Sequence, residues 1–203
     1  MGKLVTISRE YGSGGRVIGK LVAEKLGVPL YDRDIIQMAA EESGLSPEII
    51  ESAELQAKSS FSYTLSSAVS LGDGLTGEAI SMNEKLFLAQ FDVIAEIGER
   101  GEGVIVGRCA DYVLRDVKNA VNVFVYGEHD DKVARCVKEY GDDPASVEKK
   151  METYDKSRRN YYNYHTSRKW GKYGNYDLMI NSSLVGEEGA CRVICDYVDA
   201  LKK

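Results

Sequence analysis

The chain has 203 residues, 43% of them hydrophobic and 29% charged, with a formal net charge of −6. That length and mixture describe one globular domain able to bury a core without staples, and the acidic balance makes extended nucleic acid an unlikely partner. The four cysteines, Cys109, Cys136, Cys191 and Cys195, form no C-x-x-C pair and lack metal-ligand spacing, so they are expected to be reduced, buried thiols of a cytoplasmic protein.

In chain order, Met1-Gly2-Lys3 runs straight into an apolar strand, Leu4-Val5-Thr6-Ile7, which is read as leaving no room for a signal peptide. No apolar run approaches the roughly 18 residues a membrane helix needs. The chain then turns through Gly12-Ser13-Gly14-Gly15 and leaves as a helix with Ile18, Leu21, Val22 and Leu26 on one face, ended by Gly27. Strand, glycine turn and helix together make a phosphate cradle. Backbone N–H groups converge in the turn, the helix dipole adds positive potential, and glycine permits the close approach. The textual P-loop pattern G-x-x-x-x-G-K-[ST] is not met, because no Lys-Ser or Lys-Thr pair closes the turn. An ungapped reading puts Gly15 at the lysine position; a one-residue shift puts Arg16 there, and Arg9 and Lys20 are the other nearby cations.

A short second strand, Val28–Tyr31, is followed by Asp32-Arg33-Asp34. Helices are expected at 33–42 and, from the capping pair Ser46-Pro47, at 46–58. A hydroxyl- and glycine-rich loop covers 59–77, and a long amphipathic helix covers 78–100. A third strand, Gly103–Val106, is apolar throughout and ends in Gly107-Arg108, with a helix continuing through Asp111 to Leu114. Ala120–Tyr126 reads as a fourth strand and His129–Tyr140 as a helix. Pro144 opens a long polar helix to about Tyr164, inside a tyrosine- and arginine-rich stretch, 154–176. Asp177–Asn181 is a fifth strand and Gly186–Leu201 a closing helix. Five apolar strands alternating with helices imply an α/β fold with a parallel sheet, and function in such sheets gathers at the C-terminal strand ends. Gly12–Arg16, Asp32-Arg33, Gly107-Arg108 and Asn181-Ser182 all fall there.

The segments ISREYGSGGRVIG, AEKLGVPLYDRDII, VIVGRCADYVL, the stretch Asp155–Trp170, and YDLMINSS carry a resemblance that spans nearly the whole chain. In combination they resemble the cytidylate kinase-like family of the P-loop nucleoside-monophosphate kinase group. The resemblance implies a three-layer fold around a five-stranded parallel sheet of the P-loop nucleoside triphosphate hydrolase type. The core would comprise 1–32, 101–144 and 174–203, with a helical acceptor-binding insert at 33–100 and an arginine-bearing lid at 145–173. It implies phosphoryl transfer from ATP with Mg2+, in which the protein positions the reactants and neutralises their charge.

By position, the resemblance assigns the amides of Gly12, Ser13, Gly14, Gly15 and Arg16 to the donor phosphate and Arg16 to the missing lysine's place. Arg108 falls to the acceptor phosphate, Asp32 and Arg33 to the acceptor, Ser13 and Asp32 to the metal, and Arg158 and Arg159 to the transferring group. Asp155 would orient the lid arginines, and Arg168 would join them. Each has a plainer alternative: Arg108 as a turn cap, Asp32 as a helix cap, Arg158 and Arg159 as a solvated helix face, and Tyr161, Tyr162 and Tyr164 as lid packing. His129 and His165 stand at no metal or triad spacing and read as structural.

Two aspartates of true cytidylate kinases, flanking the Gly-Arg after the third strand, are Val106 and Cys109 here. The alternative reading is therefore a nucleotide-binding regulatory protein with little catalysis. A third reading takes 154–176 as a stacking surface for RNA or a partner. Apolar residues of the 59–77 loop, Phe61, Tyr63 and Leu71, are candidates for packing against a second copy of the chain.

Overall fold

The computed structural model describes residues 3–32, Ile35, Met38 and 82–201. Arg33 and most of the expected insert lie outside the described residues.

Five strands form one parallel sheet: β1 (Leu4–Arg9), β2 (Leu30–Tyr31), β3 (Gly103–Val106), β4 (Ala120–Tyr126) and β5 (Leu178–Asn181), in the order β2-β3-β1-β4-β5. The expected parallel five-stranded sheet is the one observed. Described helices are α1 (Gly15–Leu26), α2 (Met82–Arg100), α3 (Ala110–Val113), α4 (His129–Glu139), α5 (Val147–Thr166) and α6 (Ser182–Ala200). None of them is long and apolar enough to cross a membrane.

The layers follow from strand periodicity. Along β1, Val5 and Ile7 join Ile18 and Val22 of α1 and Ile194 of α6 in one core, while Leu4 joins Leu86, Ile94 and Ile97 of α2 and Leu114 in the other. Both faces of the sheet are covered, which is why its inner strands are apolar on both sides. A third cluster, Cys136, Val147 and Met151, packs α4 against α5 beside Tyr11. All four cysteines are free and buried.

β1 is central, and this positions the site. It pairs with β3 from Leu4 opposite Gly103 to Ile7 opposite Val106, and with β4 as far as Arg9 opposite Val125. Arg9 is therefore strand backbone at the C-terminal edge, two residues beyond the expected strand end at Ile7. A short helical segment precedes the expected closing helix. Asn181 caps that segment by accepting from the Ser183 amide at 3.1 Å, and Gly186, at φ 66° and ψ 177°, is non-helical, so the long closing part of α6 starts there as expected.

Candidate active site

The glycine turn lies between β1 and α1. Gly14 is the cap residue of α1 in left-handed geometry, φ 74°, and offers no side-chain cap; the first turn carries no acidic residue. No side-chain cap or first-turn acid meets the unpaired N–H groups that every helix start leaves; the Glu187 carboxylate of α6 is the nearby negative charge, 2.6 Å from where a Cβ on Gly14 would stand. Ser13 is fully buried, its hydroxyl donating to the Glu10 carbonyl at 2.8 Å, while Ser182 donates to the Ser13 carbonyl at 2.8 Å.

Three helices hold the turn from beneath and beside. From α4, Lys132 Nζ reaches Glu10 Oε2 at 2.7 Å and Arg135 Nη1 donates to the Gly12 carbonyl at 2.8 Å. Arg135 also faces Glu187 of α6 at 3.3 Å. From α5, Asp155 Oδ1 accepts from the Tyr11 amide at 2.8 Å, and Arg158 Nη1 donates to Asp155 at 3.1 Å and to the Arg9 carbonyl at 3.3 Å. The Tyr11 ring packs on Tyr154 and Tyr140, and its hydroxyl donates to Asp142 Oδ2 at 3.0 Å; Asp142 also pairs with Lys150. Burial and the Asp142 carboxylate push the Tyr11 phenol up to about 12.

Arginines gather above the turn. Arg9 lies close enough to Arg158, Arg108 and Arg16 for each to repel its charge, and Asp32 partly offsets them. Burial, first, and this crowding push the Arg9 guanidinium down to about 9, still protonated at neutral pH. Burial likewise pushes Arg108 down, against the pull of Tyr161 and Asp32. With Asp155 paired to Arg158, four guanidiniums face two carboxylates, a local positive surplus in a chain of net charge −6. Ser8, Arg9, Gly107, Arg108, Cys109, Arg158, Tyr161, Tyr162 and Trp170 line a cavity of about 60 Å³ at this point. That is room for about two waters, so it suits one end of a ligand and not a whole nucleoside.

Most of the expected site residues converge here. Gly12, Ser13, Gly14 and Gly15 form the turn, Arg108 and Arg158 line the cavity, and Asp32 stands among the arginines. Arg16 is 61% exposed and bonds Asp32 Oδ2 through Nε at 2.5 Å. Arg159 is exposed, its guanidinium 5.9 Å over the Trp170 ring. Arg168 lies over Tyr112 at 5.3 Å, away from the turn residues. Of the tyrosines offered as a stacking surface, Tyr162 is buried on Asp111, with a 2.6 Å bond to Oδ2, and Tyr161 packs on Phe87 and His165. Those are packing roles. Burial raises the Cys109 thiol well above its usual range, so it is an inert thiol.

No group of three His, Cys, Asp or Glu side chains that could hold a metal occurs among the described residues. Magnesium needs only one or two carboxylates when substrate phosphates supply the rest. Asp32 is the carboxylate beside the turn and is paired here with Arg16, while Ser13 donates its hydroxyl proton to the Glu10 carbonyl, which leaves its oxygen lone pairs unspent. Arg9 itself had been singled out in the sequence only as a nearby cation. Its position two residues past the ladder with β3 is the signal that marks it.

Comparison with known proteins agrees with this geometry. The family model described as "Cytidylate kinase-like family" matches residues 4–184. A cytidylate kinase of Archaeoglobus fulgidus is 26% identical over 202 residues, covering 98% of this chain and 96% of that protein. Among solved structures, an uncharacterized protein from Eubacterium ventriosum aligns with a TM-score of 0.71 at 26% identity, over 97% of this chain and 98% of that one. A shikimate kinase from Bacteroides thetaiotaomicron aligns with a TM-score of 0.55 at 13% identity, over 96% and 97% of the two chains, a likeness of fold alone.

Proposed function

The chain belongs to the cytidylate kinase-like family, and from that premise we propose that it is an ATP-dependent phosphotransferase acting on a nucleoside monophosphate or another small phosphorylated acceptor. The observation that carries this reading is the convergence of Arg9, Arg16, Arg108 and Arg158 on a glycine turn at a helix start. Clustered guanidiniums, those of Arg9, Arg108 and Arg158 partly buried, repel one another. A multiply charged anion relieves that repulsion, and guanidinium meets phosphate oxygens in pairs.

In this mechanism the turn amides and the start of α1 bind the donor phosphates. Arg108, at the end of β3, holds the acceptor phosphate in line with them. An acceptor phosphate oxygen bonds to the γ-phosphorus as the bond from that phosphorus to the β–γ bridging oxygen breaks, and ADP leaves. Arg158 stabilises the charge spread over the transferring oxygens, and Arg159 closes the rim beside Trp170. Asp32 would hold magnesium bound with the nucleotide, and the ion would supply neutralisation of donor phosphate charge. Such a kinase would work in the cytoplasm on small nucleotides. Its acceptor differs from cytidylate if Cys109 removes the base-reading carboxylate.

The test is ADP release measured by a coupled assay over the common nucleoside monophosphates with ATP and magnesium. Turnover with at least one acceptor is expected. Binding of ATP without turnover on any acceptor would overturn the kinase reading in favour of the regulatory one, which the replaced lysine and aspartates favour.

A further inference from the structure

The loop has a cation, and it comes from the strand. Resting on the reading of the site as a donor-phosphate cradle, we propose that Arg9 takes the place of the P-loop lysine, with its guanidinium directed at the donor β- and γ-phosphates, and that Arg16 does not.

The argument is steric. In the pattern G-x-x-x-x-G-K-[ST] a glycine opens the loop and a lysine at the seventh place reaches the phosphates. With Gly14 at the sixth place, Gly15 holds the lysine position and Arg9 holds that of the first glycine. The two residues have exchanged character. The structure shows that they have also exchanged space: a Cβ built on Gly15 would lie 2.5 Å from Arg9 Cβ and 2.9 Å from its Cγ. The stem of Arg9 fills the volume into which a side chain at position 15 would begin. A lysine and this arginine cannot both be present, so the glycine at 15 is what the arginine at 9 requires.

The far end of Arg9 makes the same demand on another segment. A Cβ on Gly107 would fall 2.0 Å from Arg9 Nη1, so the Nη1 end of the guanidinium lies against the backbone that follows β3, at a residue with φ 83°. There it lines the cavity with Arg108 and Arg158 and borders both the turn and the expected acceptor residue. Arg16 is differently placed. It is mostly exposed, its Nε is committed to Asp32, and it does not line that cavity. Arg9 is rooted in a strand bonded on both sides, since the Gly107 amide donates to the Ile7 carbonyl and the Glu10 amide to the Val125 carbonyl, each at 3.0 Å. A catalytic cation held by the sheet needs no loop ordering to reach its place.

The experiment measures magnesium-dependent binding of ATP, and of inorganic tripolyphosphate, by calorimetry for four proteins: wild type, Arg9→Met, Arg16→Met, and the double variant Arg9→Gly with Gly15→Lys. Circular dichroism and thermal melts establish that each is folded. The expected result is a loss of tenfold or more in affinity for both ligands in Arg9→Met, a smaller loss in Arg16→Met, and recovery in the double variant, which returns the lysine to a space the arginine has vacated. Arg9→Met binding ATP within tenfold of wild type, or Arg16→Met losing as much as Arg9→Met, would overturn the assignment. Should Arg9→Met not fold, the double variant decides: triphosphate binding supports the exchange and its absence refutes it. If wild type binds neither ligand, the donor-phosphate reading itself falls; if wild type binds and Arg9→Met is unaffected, only the assignment of Arg9 falls.

Discussion

Replacing Asp111 by asparagine should stabilise the protein at neutral pH. Asp111 is 2% exposed, accepts from the Tyr162 hydroxyl at 2.6 Å through Oδ2, and its Oδ1 has no hydrogen-bond partner. Burial lifts its pKa from 3.8 to about 6, although Tyr162 and Arg168 both favour the anion. The native state therefore holds a proton that the unfolded chain has already lost, and stability from this group falls as pH rises from about 4 to about 6. Above that window the penalty is complete. At about 1.4 kcal/mol per pH unit, a displacement of about two units costs about 3 kcal/mol. Asparagine keeps an acceptor for Tyr162 and never ionises, but its amide replaces an unpartnered oxygen and returns about 1 kcal/mol of that gain. The net is about 2 kcal/mol, or roughly 4–8 °C in Tm for a chain of this length.

The assay is denaturant unfolding of both proteins across pH 4–8, read as their difference. The difference is needed because His165 works the other way. Burial against α2 pushes its imidazole down to about 4, so its contribution is lost as pH falls below the ordinary histidine range. That term cancels between the two proteins. Near pH 4 the asparagine variant should be the less stable by up to about 1 kcal/mol, and the difference should reverse to about 2 kcal/mol in its favour above pH 6. A difference that does not move in the variant's favour as pH rises, or an asparagine variant less stable than wild type at pH 7.5, would refute the reasoning.

Two further outcomes are expected. Tyr11→Phe removes a hydroxyl donor from Asp142, which is buried but keeps Lys150, so urea unfolding should show a loss of about 1 kcal/mol. Arg108→Ala should lower kcat/KM for the phosphorylated acceptor by about 10²–10³, with Arg108→Lys restoring little of it, since an ammonium cannot grip two phosphate oxygens at once; steady-state kinetics with the best acceptor would check both.

Much of the fold was legible because its strands bury both faces. Val104-Ile105-Val106 and Leu4–Ile7 can be nothing else in a chain this size. Strand ends were less legible: Ser8 and Arg9 are polar, yet they pair with Phe124 and Val125 because β4 runs further than β3. Gly186 was legible as the start of the long part of α6, and its non-helical backbone does break the helix there. The short segment before it was not, because its cap, Asn181, carried its signal in a side-chain bond. At the site, the glycine turn and Arg108 could be read from their places after apolar runs. The ring of supports could not. Lys132, Arg135, Asp142, Asp155 and Glu187 meet the turn across 122 or more residues of intervening chain, through packing of α4, α5 and α6 that no local pattern encodes. The Arg33 assignment lies outside the described residues.

The tethering of Tyr11 has a consequence for anyone recombining this protein. Its amide, ring and hydroxyl are all engaged by the segment 140–155. Residues 9–16 are thus not a transferable cassette. A chimera that grafts a relative's loop between β1 and α1, and leaves Asp142, Lys150, Asp155 and Arg158 behind, joins two halves of different machines. The loop has to move with at least residues 140–158, two pieces far apart in the gene that behave in the laboratory as one part.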